Sequence, residues 1–252
     1  MKGAGGSKAL TVLAAAIACH PNPIETVELV PSTLSQGLIA HWSFDEGTGS
    51  VVEDLSGNGR HGLLNGSRWV ADGRFGGAMR FGENEFVSVD AFPDATPSFS
   101  VSAWVRLETF VQNTSTHWAT IVSTEISSGG WELNIDEATA SPGINAGFWK
   151  GPDQGDFDGV TCYCVEVGTW THVAAVLDGA SSMLLLYVGG ALRETIVTSN
   201  RILPGSPTLF LGQVSYGGRF LPGDEDELAI WSRALSASEI ASLVEHPVPP
   251  VM

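Results

Sequence analysis

Apolar residues recur at every second position in short runs, and glycine-rich turns separate those runs. Leu38, Ala40, Trp42 and Phe44 fall on one side of an extended segment, and Phe99, Val101, Ala103, Val105 and Leu107 do so in FSVSAWVRL. A helix would need a period near 3.6, so a period of 2 restricts these segments to strands with a buried face. Met183, Leu185 and Tyr187 alternate with Leu184, Leu186 and Val188, which predicts a strand apolar on both faces. Leu228 and Ile230 share a face late in the chain. Between the runs lie GTG, SGNG, GRFGG, SSGG, DGASS, VGG and YGG, all turn signals. Among 252 residues, 30 glycines and 13 prolines suit many short strands and no long helices. The pattern predicts an all-β antiparallel sandwich or barrel. One short helix is legible near the end. Ser236 and Glu239 make a capping box, and Ile240, Leu243 and Val244 follow at helical spacing. It is expected to cover one edge of the sandwich.

The two ends read differently. Lys2 and Lys8 precede the apolar run Leu10–Ala18, which is too short to span a bilayer comfortably and is followed by polar residues. Residues 1–18 are therefore expected to be a secretory signal peptide. Ala16-Ile17-Ala18-Cys19 resembles a bacterial lipoprotein box, with Ala16 where that pattern has Leu. The resemblance implies lipidation of Cys19 and a lipid anchor at a membrane; ordinary cleavage leaving a free thiol is the alternative. Residues 19–36, broken by Pro21, Pro23 and Pro31, read as the lipidated Cys and a flexible tether. The folded domain is expected over 37–246, with a disordered tail at 247–252.

The chain carries 28 acidic and 12 basic residues, a net charge of −16, and losing residues 1–18 would remove two more positive charges. Such a surface repels phosphate backbones and excludes nucleic acid as a partner. The excess of carboxylates admits divalent cations, or simply a soluble exported surface. Cys162 and Cys164 lie two residues apart. In a regular strand their Cα atoms sit near the upper limit for bridging, so a bond needs a distorted backbone. Either a local disulfide or two core-facing thiols fits. No second cysteine pair or histidine cluster supports a zinc site.

Several ordered segments carry a family likeness. They are Gly37–Gly49 (GLIAHWSFDEGTG), Asp54–Gly62 (DLSGNGRHG), Gly73–Gly82 (GRFGGAMRFG), Phe99–Val105, Thr169–Val176 and Asp226–Ser236 (DELAIWSRALS). Together they resemble laminin-G-like, or concanavalin A-like, jelly-roll domains across nearly the whole expected domain. The resemblance implies two antiparallel sheets packed face to face, one of them concave, with a short C-terminal helix. It also implies binding of glycans or proteins at the concave face or rim, and a structural Ca²⁺ near the meeting of the first and last strands. A fold alone assigns neither ligand nor activity.

Calcium needs six to eight oxygens. Asp54 and Asn58 in the DLSGNG loop, with Asp224 and Asp226 in the closing GDEDEL run, are the candidate ligands, and Asp45 is a further one. Asp226 aligns with the Asp of the family's closing Asp-Glu pair, and Glu225 stands where that pattern is apolar. An Asx-turn at 54–58 and a solvated strand edge at 224–227 are the alternative readings. Trp118, Trp131 and Trp149 lie outside the family's strand motifs and are the candidate glycan platform. Trp42, Trp104, Trp170 and Trp231 are expected in the core, and His172 in a structural role. Laminarinase-type relatives carry catalytic carboxylates along one strand. Here Glu132, Asn134 and Asp136 share a strand face, but Asn134 breaks that pattern.

The sequence thus predicts a non-catalytic, extracytoplasmic, calcium-stabilised jelly roll that recognises carbohydrate or an extracellular protein. The rival readings are a glycoside hydrolase and a purely structural envelope module.

Overall fold

The computed structural model describes residues 32–109, 118–137, 141–153, 155–199 and 201–249. The expected signal peptide, Cys19 and most of the expected tether lie outside the described residues. The described chain forms sixteen strands and two short helices. The first strands are β1 (Leu38–Trp42), β2 (Val51–Val52), β3 (Gly62–Asn65), β4 (Arg68–Val70), β5 (Ala78–Phe81) and β6 (Phe86–Val89). Next come β7 (Phe99–Leu107), β8 (Trp118–Ser123), β9 (Trp131–Asp136), β10 (Gly143–Trp149) and β11 (Phe157–Cys162). The last are β12 (Thr171–Asp178), β13 (Met183–Val188), β14 (Ala191–Val197), β15 (Leu209–Leu211) and β16 (Gly223–Trp231), followed by α1 (Ala237–Glu245).

Two eight-stranded antiparallel sheets result. The first runs β14-β13-β12-β7-β16-β5-β4, with β1 also paired to β16. The second runs β11-β10-β9-β8-β15-β6-β3-β2. Alternation along each strand sends one set of side chains between the sheets, where Trp42, Phe81, Val101, Leu133, Ile135, Phe148, Leu186 and Ile230 form the main core. The both-faced strand β13 sends Leu184, Leu186 and Val188 into that core. Its Leu185 and Tyr187 face a second cluster on the far side of the first sheet. There α1 lies over Trp231 and Leu38, contributing Ile240 and Leu243. Its capping box forms as expected: Ser236 accepts from the Glu239 N–H, and the Glu239 carboxylate accepts from the Ser236 N–H.

Three expectations are corrected here. Leu38 does not share a face with Ala40, Trp42 and Phe44. The β1–β16 pairing shifts register between Leu38 and Ala40, which turns Leu38 to the helix side. The tether ends earlier than residue 36: Ser32–Ser35 is a 3₁₀ turn whose Leu34 is fully buried. The Leu34 carbonyl accepts from the indole of Trp231. The described part of the tail is docked, because Val248 is buried and its N–H donates to Glu227. In both segments one buried apolar side chain anchors a stretch that shows no periodicity, and at the first Arg233 also donates to the Thr33 and Gln36 carbonyls.

Candidate functional site

On the outer face of the second sheet, β8, β9, β10 and β11 align their side chains in four cross-strand rows. Trp118, Asp136 and Gly143 make the first. Thr120, Asn134, Asn145 and Thr161 make the second. Ser123, Glu132, Gly147 and Gly159 make the third, and Trp149 pairs with Phe157 in the fourth. Successive rows are about 6.5–7 Å apart along the strands. The face is therefore polar in the middle and aromatic at both ends.

The middle row is the unusual one. Thr120, Asn134 and Asn145 are each at least 95% buried, although they point away from the main core. Among the described residues, the Thr120 hydroxyl, both polar atoms of Asn134 and the carbonyl oxygen of Asn145 have no close hydrogen-bond partner. Only the Asn145 amide nitrogen is engaged, by the Val160 carbonyl and the Thr161 hydroxyl. Asn134 also acts on Glu132 as a nearby hydrogen-bonding neighbour that favours the charged carboxylate. Orphaned buried polar groups cost stability, about 1–3 kcal/mol each, so a row of them calls for a reason.

Around this floor the carboxylates are already engaged. The loop after β15 folds over β8, where the Thr120 N–H donates to the Arg219 carbonyl. The Arg219 guanidinium bridges Glu125 at 2.7 Å and Glu132 at 3.0 Å. Burial pushes the Glu132 carboxyl well above its ordinary range, Glu125 adds to this, and Arg219 opposes it. The Tyr216 hydroxyl donates to Glu125 and is itself pushed up to about 12 by burial and the nearby carboxylate. Asp136 accepts from the Tyr163 hydroxyl at 3.0 Å.

The aromatic groups divide. Trp118 and Trp149 are both half-buried on this outer face, at opposite ends. Trp149 meets Phe157 edge-on, with centroids 5.5 Å apart. Trp131 does not join them. It is 2% exposed and packs on Phe99 between the sheets, because it shares the inward parity of Leu133 and Ile135. That parity was readable in WELNID. Phe157 and Tyr163, which are not among the three tryptophans of the expected glycan platform, lie on glycine-paved ground. A Cβ on Gly147 or Gly159 would come within 2.5 Å of the Phe157 ring, and one on Gly143 within 2.8 Å of Tyr163. Cys162 and Cys164 are bonded, with Cα atoms 5.5 Å apart. The Cys164 N–H donates to the Cys162 carbonyl, so a tight three-residue turn supplies the shortening that a regular strand lacks.

The five expected calcium ligands fall in three places. Asp54 frames its own turn, accepting from the backbone N–H of His41, Ser56 and Arg60 and from the Ser56 hydroxyl. Burial raises its pKa, but these donors outweigh it and hold the group below its ordinary value. Asn58 donates to the carbonyls of Leu38 and Ile39. Asp224 is held by Arg80 and Arg106. Asp45 and Asp226 grip the loop at 73–77, accepting from Gly77 and Phe75 N–H. Among the described residues no three His, Cys, Asp or Glu side chains gather as a metal group. Both oxygens of Asp54 and of Asp224 already accept hydrogen bonds, and the five residues do not gather at one point. Asp226 retains a buried free oxygen, and burial raises it to about 7.

His172 takes the structural role expected of it. It is 1% exposed, its Nε2 meets the Ser102 hydroxyl at 2.8 Å, and burial lowers it to about 4. Trp42, Trp104 and Trp231 are buried as expected, and Trp170 is half-buried.

The sequence of residues 81–241 matches the model of the concanavalin A-like lectin/glucanases superfamily. No curated protein matches the chain. Among solved structures the fold is similar to domain 4 of an extracellular arabinanase from Geobacillus stearothermophilus, in complex with arabinotriose. That match has a TM-score of 0.66 at 22% identity, over 82% of this chain and 98% of that one. It is also similar to the botulinum neurotoxin serotype D binding domain (TM-score 0.65, 14% identity, 84% of this chain). A third is the binding domain of Paraclostridial Mosquitocidal Protein 1 (TM-score 0.66, 17% identity, 84% of this chain). The chain spans 52% of each of these two toxin domains.

Proposed function

Because the chain belongs to the concanavalin A-like lectin/glucanases superfamily, we propose that it is a non-catalytic binding domain that holds an uncharged oligosaccharide on the outer face of its second sheet. The observation that carries this reading is the orphaned row Thr120–Asn134–Asn145. A carboxamide offers a donor and an acceptor side by side, and a hydroxyl offers both in one atom. Sugar hydroxyls have the same dual character, so a glycan that displaces what covers this buried row can pair with these groups. Trp118, Trp149, Phe157 and Tyr163 flank the row and supply apolar faces for sugar rings. The arabinotriose-bound arabinanase domain of the same fold is consistent with this use.

The non-catalytic part rests on charge. Glycoside hydrolysis uses one free carboxylate and one free carboxylic acid across a gap. Here Glu132 is tied to Arg219, Asp136 to Tyr163, and the position between them is the uncharged Asn134. Export accords with the Cys162–Cys164 disulfide, since such bonds persist in oxidising compartments. The anchor at Cys19 belongs to the same proposal. Among the described residues no helix is long and apolar enough to cross a membrane.

The test is Asn134→Leu, assayed by calorimetry against arabinotriose, laminaritriose and cellotriose. A side chain kept for a ligand at a cost in stability makes the two readouts move oppositely. The melting temperature is expected to rise, by about 1–2 kcal/mol of stability, while binding is lost. Unchanged binding by the variant, or no binding of any trisaccharide by the parent chain, contradicts the reading. Release of reducing ends from any of the three would restore the hydrolase.

A further inference from the structure

We infer that Tyr163 is a sugar-stacking residue of this face and that the Cys162–Cys164 disulfide is its positioning device; the inference rests on the oligosaccharide reading above. Tyr163 sits between the two half-cystines and is half exposed. A large aromatic side chain in that position would ordinarily be mobile. Three restraints hold it. The disulfide closes the smallest loop around it, and the Cys164 N–H to Cys162 carbonyl bond tightens the same turn. Both half-cystines pack against the main core, which anchors the turn to the sandwich. The ring lies against Gly143, where any side chain would collide with it, and the hydroxyl donates to Asp136 at 3.0 Å.

These restraints fix the ring at the aromatic end of the face, beside the first row and one row from Asn134 and Asn145. Its hydroxyl is spent on Asp136, so what it offers a ligand is its apolar ring. That hydrogen bond and burial also raise the phenol's pKa, which keeps the ring neutral. The rows give the distances their meaning. A saccharide whose hydroxyls pair with the second row has its neighbouring sugar over the first, where Tyr163 and Trp118 stand. Binding energy from a fixed ring is not reduced by the entropy of ordering it. A tyrosine on an open loop would lose that advantage.

The experiment uses the full chain and three variants, Tyr163→Ala, Tyr163→Phe and the double Cys162→Ser/Cys164→Ser. Each is titrated with arabinotriose, laminaritriose and cellotriose, with melting temperatures and ligand proton shifts recorded by NMR. For the trisaccharide that binds, Tyr163→Ala is expected to weaken affinity roughly tenfold, a difference of about 1.4 kcal/mol. It should also abolish the upfield ring-current shift of the stacked sugar protons. Tyr163→Phe is expected to keep that shift. The double serine variant is expected to fall between them, with a melting temperature high enough that the chain is folded during the titration. Parent-like affinity and parent-like ligand shifts in Tyr163→Ala would overturn the stacking role. Parent-like values in the double serine variant alone would overturn the role of the disulfide. A parent chain that binds no trisaccharide fails the oligosaccharide reading itself, and this inference with it.

Discussion

Glu225 is the residue whose environment departs furthest from what its chemistry prefers. It lies on β16 with the inward parity of its partners Met79 and Val105, is fully buried, and among the described residues neither carboxyl oxygen has a hydrogen-bond partner. Burial therefore pushes its pKa well above the ordinary 4.5. The folded chain keeps this proton to a higher pH than the unfolded chain does. Its stability contribution is full below about pH 4.5 and declines as pH rises toward the folded value. Glu225→Leu is expected to stabilise the protein at neutral pH by about 1–3 kcal/mol. It should also flatten the decline between pH 5 and 8, as read by urea denaturation across that range. Asp54 argues the other way. Its carboxylate accepts four hydrogen bonds that hold the turn at 54–60. Asp54→Ala is expected to cost at least about 2 kcal/mol, by analogy with single hydrogen bonds to charged groups. The cost should be the same in chelator and in millimolar Ca²⁺, and a calcium-dependent difference would return Asp54 to the metal.

At the scale of elements, the C-terminal helix gives the cleanest case. Glu239 closes the capping box and also meets Arg233 and the Thr33 hydroxyl. Burial works to raise its pKa, but Arg233, Thr33 and Ser236 prevail and bring it to about 2. Its contribution is present above about pH 4.5 and is lost as pH falls through 2. Ser236→Ala is expected to cost roughly 1 kcal/mol, measurable as a lowered denaturation midpoint with an unchanged slope. This helix was legible because a capping box and a 3.6 period are local signals. The period-2 strands were legible for the same reason, and parity alone would have sent Trp131 inward with Leu133. The β1 register shift was not legible, since a bulge depends on the partner strand. Nor was the row Thr120–Asn134–Asn145, which exists only once β8, β9 and β10 are in register. Tyr163 reads as a loop residue until the turn between its flanking cysteines is seen.

The whole molecule is an acidic sandwich with a net charge of −16, and the proposed face shares that sign. Glu125, Glu132, Asp136 and Glu137 lie on or beside it, and Arg219 is already engaged by two of them. An acidic sugar would meet repulsion both from these groups and from the field of the molecule. Neutral oligosaccharides are therefore expected to bind more tightly than uronate-bearing ones of the same length. The gap should narrow as salt is raised from 0.01 to 0.5 M, because screening acts only on the charged ligand. Equal affinities for both at low salt would contradict this selectivity.

Backbone chemical-shift mapping by NMR, with the bound trisaccharide titrated into the isotopically labelled chain, locates the ligand on the molecule. The amides of Thr120, Asn134, Asn145, Thr161 and Tyr163 are expected to shift together and saturate at one affinity, while those of α1 and β13 stay still. Shifts confined to the first sheet or to the 54–60 turn would place the ligand elsewhere and overturn the assignment of binding to the outer face of the second sheet.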